Sequence, residues 1–522
     1  MRKTVQPGSI TPLPALDPRR WKTLALLGAA FFMVILDATI VLTGIPSMQE
    51  ELGFTVAGVQ WVLTAYSLTF AGLMLFFGRM ADLLGRRRVF MTGLALFITS
   101  SAACGAAWSA EVLITARSVQ GLSAAIMAPT ALSIVIATFS DSAERNKALG
   151  IWGGLGGIGA TAGLLLGGLI TDALGWEWIF YLNIPAGLVI LALCPMLLRE
   201  SRERAVGRTF DFAGAIMITV APLLIAYAVI QAPESGWGSA TTVGLFAGAL
   251  AVLALFVFGE ARSPAPLVPL RIFRNRTLVG GNLLMLVVGL AVDGMMFPLT
   301  LYAQQVLKYS ALQFGLMSAV MTVMSVVGAF AGQALVTRLG IRPIASGGTL
   351  LIAAGCLLLV PVSVDGSFTT DMLWGLLVFG PGMGASFVAA QIAALADVPE
   401  EESGLAAGLV DTLFNIGSAL GIATVTSVAI AVGRVTVVET RTPAVSLVAL
   451  NDGLRAAFGV AAIFAALGLV VALFVLARSY SAQVADDLAL PESDSTAGEP
   501  QKKENAHESA CDQSGPFLRR LD

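Results

Sequence analysis

Asp37 lies in the stretch LDATIVLTGIP (Leu36 to Pro46), late in a run of apolar residues that starts near residue 23. An ionised group near the centre of a bilayer costs about 2.5–3.5 kcal/mol on insertion scales. A carboxylate kept in such a place suits a group that takes up a proton on one side of a membrane and gives it off on the other. The plainer alternative is a structural Asp that hydrogen-bonds neighbouring helices. Arg117 sits a few residues inside another apolar run. A guanidinium is always charged, so it needs an anion, water or carbonyl oxygens beside it. It could grip a carboxylate in one state and release it in another, or form a static buried ion pair. Asp293 and Asp411 are two further carboxylates in apolar runs. Asp293 reads as a second proton or cation site, or as a structural carboxylate. For Asp411, closer to the end of its run, lining a cavity and resting in interfacial water stay equally open.

Other chemistries lack their residues. The single histidine, His507, falls in a polar tail, and the four cysteines (Cys104, Cys194, Cys356, Cys511) are scattered without a CxxC or other ligand spacing. Neither disulfides nor a metal site follow from that pattern. No GxxxxGK[ST] loop occurs, so no nucleotide is implied. We therefore expect no cofactor, no metal and no nucleic-acid partner.

Only a polytopic membrane scaffold can position such residues. The 522 residues are 56% hydrophobic and 12% charged, against about 25% charged in soluble domains. A window of about 20 apolar residues gives roughly fourteen runs, near 23–46, 59–79, 89–108, 112–138, 147–170, 178–198, 212–231, 241–259, 278–302, 313–336, 344–362, 372–394, 405–432 and 455–477. Basic residues cluster in alternate connections (Arg19, Arg20 and Lys22; Arg86 to Arg88; Arg145 and Lys147; Arg199 to Arg208; Arg262 to Arg276; Arg338 and Arg342; Arg478). The positive-inside rule then puts both termini in the cytoplasm, in a multi-pass protein of the cell (inner) membrane. The acidic connection after residue 394, with Asp397 and Glu400 to Glu402, departs from the pattern but weighs little in that rule. The proline-containing start offers no apolar core for a cleavable signal.

An internal repeat organises the runs. GRMADLLGRRR (Gly78 to Arg88) after the second run is echoed by QALVTRLGIRP (Gln333 to Pro343) after the tenth, with Thr337 in place of Asp82. This predicts an all-α membrane protein: a cytoplasmic tail (1–22), a six-helix bundle (23–198), an inserted two-helix region (199–276), a second six-helix bundle (277–477) and a disordered cytoplasmic tail (478–522). Run nine then matches run one. Asp37 lies 15 residues past Lys22 and Asp293 lies 17 past Arg276, so both fall roughly 20–25 Å along their helices. Two facing carboxylates at one depth are expected.

The motifs themselves carry a resemblance. In GRMADLLGRRR, Gly78 and Gly85 permit close packing and a tight turn, Asp82 can cap a neighbouring helix N-terminus, and Arg86 can pair with an acid. Such a set can latch in one conformation and open in another. It resembles the signature loop of the major facilitator superfamily. LITARSVQGLSAA, with Arg117, Gln120 and Gly121, is similar to the fourth-helix motif of proton-coupled members. GATAGLLLGG, with Gly159, Gly163, Gly167 and Gly168, resembles the antiporter motif of the fifth helix. WEWIFYLNIPAG (Trp176 to Gly187) and LDATIVLTGIP resemble signatures of the fourteen-helix drug:proton antiporter branch. Two departures stand out. Leu164 replaces the proline that follows the second motif glycine. In DTLFNIG, Asp411, Phe414 and Asn415 replace a pattern that often carries Asn, Arg and Gln.

The resemblance implies proton-coupled efflux of amphipathic drugs or antibiotics by alternating access, with Asp37 and Arg117 in proton coupling and no enzyme activity; Asp293 joins them on depth and pseudo-symmetry alone. Tyr66, Gln120, Asp411 and Asn415 are the expected substrate-lining residues. Phe31, Phe32, Trp61 and Tyr302 could also stack on a planar or cationic drug, although Trp and Tyr equally suit membrane interfaces. The expected partners are a drug-like small molecule, protons and the lipid bilayer, with a monomer as the transporting unit. A dedicated exporter or importer of one metabolite, such as a self-made antibiotic, remains an alternative. A polytopic enzyme or a sensor is the alternative from another class.

Overall fold

The computed structural model describes residues 18–476 apart from 140–141, 199, 201–211, 264–265, 267, 269, 397–402 and 441–444. The proline-containing start, the acidic connection after residue 396, Cys511, His507 and the tail expected to be disordered lie outside the described residues. All regular structure among the described residues is helical. The long helices are α1 (Arg20–Glu51), α2 (Trp61–Leu84), α3 (Arg86–Gly105), α4 (Ala110–Thr138), α5 (Ser142–Leu174), α6 (Asn183–Leu197), α7 (Phe212–Ser235), α8 (Ala240–Arg262), α9 (Arg276–Leu301), α10 (Ala311–Leu339), α11 (Ile341–Leu359), α12 (Leu373–Leu395), α13 (Ser403–Thr440) and α14 (Val445–Phe474). Eleven described helical segments are long and apolar enough to cross a membrane by length and composition. Three shorter apolar stretches, Trp61–Met74, Ile158–Leu174 and Ile216–Ala232, lie within α2, α5 and α7.

Local sequence sets where the helices begin. The Oγ of Ser109 accepts from Val112 N ahead of α4, and that of Ser239 from Thr242 N ahead of α8. Asn275 Oδ1 accepts from Thr277 N and Leu278 N at the start of α9. Ser310 and Gln313 form a reciprocal capping box at the start of α10. Each satisfies backbone N–H groups that a helix start leaves open. Gly85, with φ +104°, joins α2 to α3, and Gly340, with φ +86°, joins α10 to α11. L side chains resist that region, so the echoed loops share a physical requirement for glycine at the same step.

The helix packing repeats with an offset of eight. α1 packs on α5 as α9 packs on α13; α2 on α4 as α10 on α12; α3 on α4 as α11 on α12; and α3 on α6 as α11 on α14. Between the two sets, α2 meets α13 and α5 meets α10, a pairing that maps onto itself under the same offset. α7 and α8 have no counterpart. They pack on each other, and α7 also lies against both α2 and α13.

The antiporter-motif glycines bring α5 onto α1. A Cβ at Gly163 would stand 2.9 Å from the Leu36 carbonyl oxygen, and one at Gly167 would stand 2.7 Å from the Ile40 carbonyl oxygen. Gly159 faces Ile35 on the same side. Gly168 turns the other way, toward Ala311 and Leu312 of α10, where Gly315 meets the Leu164 carbonyl. α5 runs unbroken through Leu164, so the missing proline leaves a continuous helix. Overpacking such a contact costs about 1–3 kcal/mol. Gly167→Leu should therefore lower the thermal unfolding midpoint of the detergent-purified protein, whereas Gly244→Leu, with nothing within 4 Å, should leave it unchanged.

Candidate functional site

Asp37 lies 17 residues into α1, counted from Arg20, and its side chain is fully buried. Four other helices converge on it. Arg117 and Gln120 are three residues apart on α4 and so share a helix face. Arg117 Nη1 donates to Asp37 Oδ2 at 2.7 Å, and Gln120 Nε2 donates to Oδ1 at 2.9 Å. Asn183, the first residue of α6, donates from Nδ2 to the same Oδ1 at 2.7 Å. Beneath them, Ser101 Oγ of α3 accepts from Gln120 Nε2 at 2.7 Å and from Asn183 Nδ2 at 3.1 Å. From α2, the Val62 carbonyl accepts from Arg117 Nε at 3.1 Å.

The donor directions are forced by chemistry. A guanidinium only donates and a carboxylate only accepts. Gln120 Oε1 must then face Arg117, whose Nη1 donates to it at 2.7 Å, and both amide nitrogens must face Asp37. Arg117 also lies over the Tyr66 ring, 4.2 Å from its centroid, and 5.7 Å from that of Phe180. Two polar atoms of this cluster, Arg117 Nη2 and Tyr66 Oη, are buried without a hydrogen-bond partner.

The other expected site residues are distributed more widely. Gln120 is wholly buried inside the Asp37 cluster, and Tyr66 is buried beneath Arg117; neither presents an open surface to a ligand. Asp293 lies 17 residues into α9, counted from Arg276, the step that Asp37 occupies in α1. The residue is half-buried overall, and its carboxyl hydrogen-bonds Ser418 of α13, apart from the Asp37 cluster. Asp411 and Asn415 are half-buried on α13, and Asn415 Nδ2 donates to the Asp411 carbonyl at 2.8 Å. Beside them, Phe414 and Phe387 meet edge to face at 5.7 Å. In the loop motif, Gly78 faces Pro129 of α4, Gly85 makes the turn and Arg86 is half-buried. The Asp82 side chain lies outside what is described. Phe31 stacks on Trp152 at 4.4 Å. Tyr302 is buried, with its hydroxyl within hydrogen-bonding distance of both Ser363 O (2.8 Å) and Asp371 Oδ2 (2.7 Å).

Sequence reasoning missed Asn183 and Ser101. Asn183 stands in WEWIFYLNIPAG as the only amide in an apolar helix start, a signal that points to a buried polar partner. Ser101 resembles any small residue in an apolar run, and nothing in the sequence singles it out.

The two repeated sets are tied where α1 and α9 end. Gln304 Nε2 donates to the Thr43 carbonyl at 3.1 Å, and Gln305 Nε2 to Gln49 Oε1 at 2.8 Å. At the end of α5, Asp172 accepts from Ala311 N and Leu312 N at 3.1 and 3.0 Å, an anion seated at the N-terminus of α10. Midway along the α2–α13 contact, Thr412 Oγ1 donates to the Ala71 carbonyl at 3.3 Å.

The sequence profile described as Major Facilitator Superfamily matches residues 27–422. The chain belongs to the major facilitator superfamily. It is 33% identical over 413 residues to the tetracenomycin C resistance and export protein of Streptomyces glaucescens, covering 79% of this chain and 76% of that protein. It is 37% identical over 412 residues to the multidrug resistance protein Stp of Mycobacterium tuberculosis, covering 78% and 75%. The fold is similar to that of a bacterial homologue of the human lysosomal transporter Spinster in an inward-facing, unoccupied conformation, with TM-score 0.62 and 15% identity over 88% of this chain and 97% of that one. The architecture is thus that of a multi-span membrane transporter.

Removing one partner of a buried ion pair strands the other charge and costs about 3–5 kcal/mol. Arg117→Met should lower the unfolding midpoint of purified protein sharply, and adding Asp37→Asn should restore part of the loss. Equal midpoints for the single and double variants would contradict the pairing.

Proposed function

We propose that this protein exports amphipathic drugs or antibiotics from the cytoplasm by proton-coupled alternating access. The observation that carries the proposal is the sealed Asp37–Arg117 pair, in which a carboxylate and its counter-charge are held 2.7 Å apart with no exposure. Protonation neutralises the carboxylate and frees the guanidinium, so the charge balance of five helices changes with one proton. Asp37 takes up a proton from outside as substrate leaves. Deprotonation toward the cytoplasm restores the pair, and the proton gradient supplies the free energy. Asp293, at the matching step of the repeat, is the second proton or cation site; Asp411 and Asn415 line the substrate path. The Gly78–Arg86 loop is the latch between conformations.

Two bundles, residues 23–198 and 277–477, are the moving bodies, with the 199–276 pair inserted between them. The basic residues support cytoplasmic termini in the cell membrane. In that orientation the Gln304, Gln305 and Asp172 contacts close the outer face. We take the monomer as the transporting unit and assign no enzymatic step to it. The tetracenomycin C export relative supports a second reading, a dedicated exporter of one antibiotic.

Cells expressing the protein should accumulate more drug when the proton gradient is collapsed. A fall in accumulation would indicate import, and no change would remove proton coupling. Asp37→Asn should abolish gradient-driven export while the protein still inserts; normal export by this variant would exclude Asp37 as the coupling group. Asp293→Asn should lose cationic substrates selectively, measured as resistance to paired cationic and neutral drugs. Equal loss of both would exclude charge recognition there.

A further inference from the structure

Asp37 offers about four lone-pair sites, two on each oxygen. Oδ1 accepts two N–H groups, from Gln120 and Asn183. Oδ2 accepts one, from Arg117. One lone pair is therefore open, and it lies on the oxygen that Arg117 holds. Neither amide N–H is acidic enough to pass its proton to Oδ1, so both only occupy its lone pairs. Ser101 Oγ, bonded to both amide nitrogens, orients them together.

We propose that Asn183 is a positioning residue of the coupling site: with Gln120 it closes Oδ1, so that the proton must add to Oδ2, beside Arg117. This rests on the reading of Asp37 as the coupling group. A hydronium ion reaching the site gives its proton to Oδ2 and departs as water. The carboxylate becomes a neutral acid, and the guanidinium loses the charge that balanced it at that same oxygen. Proton uptake and release of Arg117 then become a single event. Without Asn183, a lone pair opens on Oδ1, and a proton can reside there while Arg117 stays bound to Oδ2. Coupling loosens although Asp37 and Arg117 are both present.

The titratable and charged groups that face Asp37 are few. Arg117 comes from α4, Tyr66 from α2 and Cys104 from α3. α5 presents glycines at this level, and α6 presents Asn183. The Cys104 thiol donates to Gln120 Oε1 at 3.5 Å.

The test uses full-length protein in proteoliposomes, with drug export followed across a range of pH at a fixed proton gradient. Asn183→Leu removes the donor at similar volume, and Ser101→Ala removes the hydroxyl that orients both amides. A hydrogen bond to a charged group is worth enough to move the profile of Asn183→Leu by about one to two units toward higher pH. Ser101→Ala should shift it the same way by less. If both variants lose amplitude but keep the wild-type profile, Asn183 is merely structural and the proposal is overturned. Should Asn183→Leu fail to reach the membrane, the Ser101→Ala profile decides alone. Asp37→Asn run in parallel separates the two levels. Normal pH-dependent export by that variant removes the coupling reading itself, whereas loss of export with an unshifted Asn183→Leu profile removes only the positioning role.

Discussion

A charge pair within an apolar helix cluster is tolerable only if nearly every donor and acceptor around it is engaged, because an unpaired buried charge costs far more than the pair returns. That constraint shapes one half of this molecule. α1 supplies the carboxylate, α4 the guanidinium and one amide, α6 the second amide, α3 the hydroxyl beneath both and α2 a carbonyl. None of these helices can rotate about its axis or slide by a turn without opening a polar gap. The ion pair thus acts as a registration mark for five helices, and two buried atoms, Arg117 Nη2 and Tyr66 Oη, mark where the satisfaction is incomplete.

The two glycine patterns act at a different level. At Gly85 and Gly340 the requirement is conformational, since the chain turns between paired helices through a positive φ. Along α5 it is steric, since backbone must approach backbone on α1 and, at Gly168, on α10. α5 is therefore the helix through which the buried pair and the contact between the repeated sets share one rigid element. Gly163 abuts Leu36, the residue before Asp37, and Gly168 abuts the start of α10, one turn and a half further on.

Most of the helix order could be read from the sequence, because apolar runs and basic clusters each leave a local signature. Asp37 and Arg117 were legible for a related reason: charge in an apolar run is conspicuous. Their direct pairing was left open, since hydrogen bonds 80 residues apart have no local trace. Asn183 was half-legible, visible as a polar residue in a recognised motif but silent about its partner. Gln120 was legible as important, but its bonds to Asp37, Arg117 and Ser101 were not, for the sequence cannot tell a side chain that faces a cavity from one that faces another side chain. Ser101 was illegible. The early start of α1, at Arg20 instead of residue 23, reflects interfacial residues such as Trp21 that continue a helix without adding to an apolar window.

α7 stands outside the repeat but not outside the mechanics. On one side Gly72 of α2 seats Thr219 so closely that a Cβ there would fall 2.6 Å from the Thr219 Cβ; on the other, Ser427 of α13 donates to the Val229 carbonyl at 2.6 Å. A helix attached to both banks of a seam behaves as a stop on a hinge. Separation of α2 from α13 has to strain one attachment or the other, so the travel of the seam has a limit set by a segment that touches no proposed ligand. Transporters of this architecture without the extra pair would lack that stop, and their range of opening would be set by the seam alone.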